Sequence, residues 1–202
     1  MTSRERVSMA LSHQEPDKVP VDLGGAVVTG IHAAALDKLR KALGLEQRTV
    51  KVYEPMMMLG VVEEDVLQAI GGDVIGLNAP GTLLGYTNEN WKPWHLPDGT
   101  EVLMGGGFAV TYGPDGTAYS YPGGNTSASP SAKMPAGGLY FDNIVRQEDL
   151  TDHTFDARRD YADQYTVFSD EVCRYYDETS KALCDTGYAV FGNFFLGGVG
   201  DI

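Results

Sequence analysis

The chain has 202 residues, 43% of them hydrophobic, with two cysteines, two tryptophans and a formal charge of −13 from 28 acids against 15 bases. Such a composition can bury a core, and its acidity argues against an unassisted nucleic-acid or anionic-membrane surface. No basic start leads into an early apolar segment and no run approaches eighteen apolar residues, so neither a signal peptide nor a membrane span is read; the expected compartment is the cytoplasm.

TSRE opens the chain as a capping box, with Thr2 placed to cap and Glu5 three residues on, and the first helix is expected to end near His13. Pro16 and Pro20 bracket a turn. Val19 to Leu23 then reads as a short strand buried on both faces and ended by Gly24-Gly25. A second helix fits from about Thr29 to Leu43, with Ile31, Ala35, Leu39 and Leu43 on one stripe and Gly44 as its stop. After the extended piece VKVYEP, a third helix is expected from about Met56 to Ile70, and DVIGL begins a second buried strand.

Residues 85 to 140 change character. LPDGTEV and YGPDGTAYSY each set Asp-Gly between β-prone runs, which predicts two hairpins, and GGNTSASPSAKMPAGG reads as a surface loop; the whole region is read as an insertion. A long helix from about Asp163 to Cys184 follows, with Phe168, Val172, Tyr175, Thr179 and Leu183 on its stripe, and YAVFGN is a third buried strand. Cys173 and Cys184 fall in that helix, separated by roughly 16 Å of rise, too far for a disulfide, and no CxxC or HxC pair marks a metal. Buried strands alternating with helices predict a parallel α/β sheet, doubly wound or barrel. Three strands cannot close an eight-stranded barrel, which takes about 250 residues. The chain therefore reads as the N-terminal part of something larger.

TSRERVSMALSHQEPDKVPVDLGG resembles the start of the uroporphyrinogen decarboxylase superfamily, in which a capped helix, an EPD(K/R)VP turn and a first barrel strand follow in this order. The likeness continues through TGIHAAALDKLRKALGL, VYEPMMMLGVVEEDVLQAIGGDVIGL, the WKPWHLPDGTEV hairpin and YFDNI. It implies a (β/α)8 TIM barrel with its site at the C-terminal ends of the strands, here the N-terminal portion with a β-hairpin insertion. The superfamily's decarboxylases carry an MRQAGRY-type segment after the first strand, where this chain reads VDLGGAVVTG and has no arginine between Arg6 and Arg40. They also place an aspartate after the second strand, where this chain has Asn78 and Pro80 in GLNAPG. A substrate with eight carboxylates needs cationic forks, so these departures argue against porphyrinogen decarboxylation. The remaining branch is similar to corrinoid-dependent methyltransferases, which move a methyl group between a small methylated donor and a cobalamin carrier. That likeness implies a corrinoid carrier protein as partner and zinc as cofactor, with the zinc ligands beyond Ile202.

The residues that carry chemistry on this reading stand at strand ends. Asp22, expected at the tip of the first strand with glycines leaving room for a ligand, could act as base or hold a substrate cation or hydroxyl, or could cap the following turn. His32, in the first turn of its helix, could donate or carry a proton, or be satisfied by a neighbouring loop. Asn78 and Asn193, after the second and third strands, could orient substrate through their amides or tie down their loops. Met56, Met57 and Met58 read first as core filling, and as a soft cofactor-facing surface second. Trp91, Trp94, Tyr112, Tyr119 and Tyr121 make a lid, an interface to a partner or second subunit of a homo-oligomer, or a self-packed β layer. The leading expectation is methyl transfer. Decarboxylation of a carboxylated substrate and non-catalytic corrinoid or tetrapyrrole binding are the alternatives.

Overall fold

The computed structural model describes residues 1–144 and 167–193. Helix α1 (Ser3–Leu11) begins with the capping box read from the sequence: Thr2 Oγ1 accepts from Glu5 N–H at 3.2 Å, and Glu5 Oε2 accepts from Thr2 N–H at 2.8 Å. A 3-10 turn (Val27–Thr29) precedes α2 (Ala33–Ala42), so the second helix starts four residues later than its periodicity predicts. Ala33, Ala34 and Leu36 face inward, and burial of Leu36 alone stabilises the fold by about 1.5–3 kcal/mol.

The segment 19–23 does not form a ladder strand. Pro20 has no N–H to give, and the neighbouring Val21 N–H goes instead to the Asp73 carboxylate at 3.0 Å, while Val21 C=O accepts Asp73 N–H at 2.7 Å. One side chain thus does the work of a rung. Asp73 is buried and also takes Arg6, which reaches on to Asp17 at 2.6 Å, so α1 is bolted to the sheet through a shared guanidinium.

Strand β1 (Val50–Glu54) pairs antiparallel with the two-residue β2 (Leu59–Gly60), which overturns the expected helix start at Met56. The reason lies in Glu54, whose buried carboxylate accepts N–H from Met56 at 3.0 Å and Met57 at 2.7 Å and folds the chain back, with Met58 in the left-handed region (φ 54°). Helix α3 covers only Glu64–Ile70 and ends on Gly71 at φ 68°, leading to β3 (Val74–Leu77). Arg40 on α2 reaches across to Asp65 at 2.8 Å and Glu63 at 3.3 Å, pinning α2 to the start of α3.

LPDGTEV turns β4 (Lys92–His95) into β5 (Glu101–Met104), with Gly99 at φ 83°, and β5 continues into a parallel pairing with β1. YGPDGTAYSY likewise joins β6 (Val110–Tyr112) to β7 (Ala118–Ser120). The expected surface loop after it contains a strand, β8 (Ala132–Met134), with β9 (Asp142–Asn143) beyond. Ala132 and Met134 of β8 are fully buried, because their alternation faces the aromatic cluster of Tyr86, Trp94, Phe108 and Phe141. Residues 85 to 140 therefore share one core with α2 and β1. Helix α4 (Asp170–Cys184) runs into β10 (Ala189–Gly192), which lies parallel to β3. The expected helical residues 163 to 166 lie outside the described part.

Among the described residues the strands form two four-stranded sheets, ordered β2-β1-β5-β4 and β6-β7-β8-β9, and the parallel pair β10-β3. No helix among them is long and apolar enough to cross a membrane.

Candidate functional site

Parallel pairing sets Leu77 opposite Gly192, so the next residue on each strand, Asn78 and Asn193, emerges at the same end. Asn193 uses that position fully. Its backbone N–H donates to Leu77 C=O at 2.9 Å, and its amide nitrogen donates to Asn78 Oδ1 at 2.8 Å and to Gly25 C=O at 3.2 Å. The loop after segment 19–23 and the ends of β3 and β10 are thereby laced together by one side chain.

Asp22 stands in this group as a turn former, since its Oδ1 accepts Gly25 N–H at 2.9 Å. The glycines beside it leave no room for a ligand. A Cβ on Gly25 would lie 2.6 Å from both Asp22 Oδ1 and Val74 Cγ1, and one on Gly24, already at φ 82°, would lie 2.5 Å from Val62 Cγ2. On β3, a Cβ at Gly76 would come within 2.7 Å of Gly25 C=O. Glycine is placed here for backbone approaching backbone.

His32 is the N-cap of α2: its Nδ1 accepts Ala34 N–H at 3.2 Å, and its Nε2 therefore carries the hydrogen given to Leu139 C=O at 2.8 Å. Both ring nitrogens are engaged, and no hydrogen bond joins His32 to Asp22, Asn78 or Asn193 among the described residues. Met56 and Met58 fill the core, while Met57 is 43% exposed.

Asn78 also lines a cleft of about 540 Å³ whose other walls include Tyr53, Asn88, Glu89, Trp91, Glu171 and Tyr175. A smaller hollow of about 140 Å³, bounded by Leu23, Gly24, Tyr53, Gly76 and Asn78, shares Tyr53 and Asn78 with it. The cleft is built by five separate segments: the end of β1, Val61 after β2, the loop after β3, the approach to β4, and the first turns of α4. Tyr175 donates its hydroxyl hydrogen to Asn78 C=O at 3.1 Å, closing α4 against the strand end. Asn88 donates to Tyr53 C=O at 2.9 Å, and its Oδ1 is buried without a partner. Tyr53 is 8% exposed and its hydroxyl too has no partner; burial, followed by the nearby Glu54 and Asp22 charges, pushes its pKa up to about 12. Glu54, beneath it, is likewise raised by burial, against the pull of the two backbone N–H groups it accepts.

Of the cleft's residues the sequence reading singled out Asn78, Pro80 and Trp91, and it named Val172 and Tyr175 only as part of a helix stripe. Tyr53 and Glu54 did carry a signal, two ionisable groups side by side in an otherwise buried strand. Glu171 carried none, since it looks like any acid in a first helical turn. As for zinc, no group of three His, Cys, Asp or Glu stands close enough to hold a metal among the described residues, and Cys173 and Cys184 are both free and exposed. These residues do not make a zinc site. No protein-family model, no curated protein and no solved structure matches the chain.

Proposed function

We propose that the chain is the N-terminal part of a barrel enzyme of the uroporphyrinogen decarboxylase type, on the methyltransferase branch, which moves a methyl group between a small methylated donor and a corrinoid carrier. The observation that carries the reading is the convergence of Asp22, Asn78 and Asn193 at neighbouring chain ends beside a cleft that, among the described residues, has no lysine or arginine in its lining. A volume of about 540 Å³ suits a small donor. The corrinoid would remain on its carrier and meet the donor at the cleft mouth.

Absence of a basic lining is also what disfavours decarboxylation of a polycarboxylate, which would need several fixed cations. Arg6 and Arg40 are committed to Asp17, Asp73, Glu63 and Asp65. In the proposed enzyme Asn78 and Asn193 hold the loop geometry and orient the donor, and Asp22 keeps the Gly24-Gly25 backbone in place.

The test offers methylated amines and methyl ethers to the longest natural form of the protein with free reduced cobalamin as acceptor, following cobalamin methylation by its absorbance. Methylation that drops at least about tenfold in Asn78→Ala, the size of effect expected when a positioning contact is lost, supports the reading. A folded protein that methylates cobalamin from none of these donors, or that decarboxylates uroporphyrinogen, overturns it.

A further inference from the structure

We infer that the cleft between Tyr53, Trp91 and Tyr175 is a binding site for a small alkylammonium cation. Three aromatic side chains line it, and the electron-rich face of an aromatic ring attracts a cation, most strongly for tryptophan. The fold already shows this attraction: Lys51 Nζ stands 5.6 Å from the Trp91 ring centroid. Two carboxylates, Glu89 and Glu171, complete the rim. Neither forms an ion pair among the described residues, and the Glu89 carboxylate accepts the Thr87 hydroxyl at 2.6 Å.

The buried polar atoms narrow the ligand further. Asn88 donates one amide hydrogen to Tyr53 C=O and leaves Oδ1, an acceptor, buried with nothing to accept. The Tyr53 hydroxyl, on a side chain more than nine-tenths buried, is also unpartnered. Buried polar atoms without partners are costly, and a ligand that satisfies them gains by doing so. An N–H of a protonated amine supplies what Asn88 Oδ1 lacks. An anion would meet the carboxylates of Glu89 and Glu171, and a purely apolar ligand would leave the acceptor empty. The chemistry that answers rings, acids and acceptor together is an ammonium group bearing alkyl substituents and at least one N–H.

The site stands or falls on binding, independently of methyl transfer. Calorimetric titration of the 202-residue chain with three probes tests it: tert-butylammonium, the near-isosteric neutral tert-butanol, and tetramethylammonium, which keeps the charge and has no N–H. We expect saturable binding in that order of interest, with tert-butanol at least about fivefold weaker than tert-butylammonium, the size of a partly desolvated cation–π contact, and tetramethylammonium between them. Trp91→Leu and Glu171→Gln, both at partly or fully exposed positions and so tolerant of change, should each weaken tert-butylammonium binding severalfold. Lys51→Met should strengthen it, because the competing cation on Trp91 is removed. Equal binding of the alcohol and the ammonium, indifference to Trp91→Leu, or no saturable binding of any probe overturns the inference.

Discussion

Two carboxylates show how one residue's surroundings set the sign of a pH effect. Glu54 is 2% exposed and its folded pKa lies above the ordinary 4.5, so the unfolded chain loses this proton first and native stability falls as pH rises from about 4.5 through the raised value. Glu54→Gln removes the charge while keeping one acceptor for the Met56 or Met57 N–H. Its stability, followed by urea unfolding, should therefore change less with pH above 4.5 than that of the parent; parallel profiles would mean that Glu54 carries no such load. Asp17 behaves oppositely. The Arg6 guanidinium holds its carboxyl at about 2, below the ordinary 3.8, so that stability is present above 3.8 and is lost as pH falls toward 2. Arg6→Met should erase that acid-side loss in the same measurement. Asp22 was legible as the end of a short extended segment, and the sequence also offered the turn-forming role that its bond to Gly25 displays. His32 was harder to place, because its partner Leu139 is 107 residues away and nothing local announces it.

At the scale of elements, local patterns were readable wherever one short-range rule decided the outcome. The Thr2–Glu5 capping box, the two Asp-Gly turns and Gly44, at φ 67° just after α2, are of this kind. The misplacements came where a distant group intervened: the Asp73 side chain took the rung that segment 19–23 would have used, and Glu54 turned the chain at the point where apolar periodicity predicted a helix. A strand hidden in a polar run, β8, was invisible because only Ala132 and Met134 mark its inner face. Packing between elements makes two checkable demands. Met104 on β5 is fully buried in the main cluster, and Met104→Ala should cost about 2–5 kcal/mol by denaturant titration. Gly76→Ala must push Gly25 C=O away and should cost about 1–3 kcal/mol, with Asn193 amide resonances shifting as the loop moves. A Gly76→Ala protein of parental stability would show that the approach of the two backbones is looser than 2.7 Å implies.

Across the whole molecule the buried cluster is lopsided. Among the described residues it draws on α2, β1, α3, β5, β7 and β8, while α4 contributes no fully buried residue and β10 leaves Phe191 48% exposed. Opening free energy follows buried apolar contact, so amide exchange should be fastest in α4 and β10 and slowest in β1, β5 and β7. Uniform protection across these elements would contradict this distribution of the core. The sequence conveyed the alternation of strand and helix, but it placed the weight of the fold in the parallel strands and read residues 85 to 140 as an addition. Glycine and proline are the commonest residues of that region and conceal how much it buries, since its inward residues are contributed one or two per short strand.

The bridge from Asn193 to Asn78 spans 115 residues of chain, whereas the hairpins β4–β5 and β6–β7 close across a few. Contacts so unequal in sequence separation do not form together, because closing a long loop demands more chain entropy than closing a short one. The hairpin-rich layer can assemble early, and the lacing at the strand ends must wait until both Asn78 and the distant Asn193 have been made. A ribosome-bound chain would thus hold the hairpins well before it had a mouth, and the Asn193 side-chain amide signal would serve as a clock for the closing of that mouth.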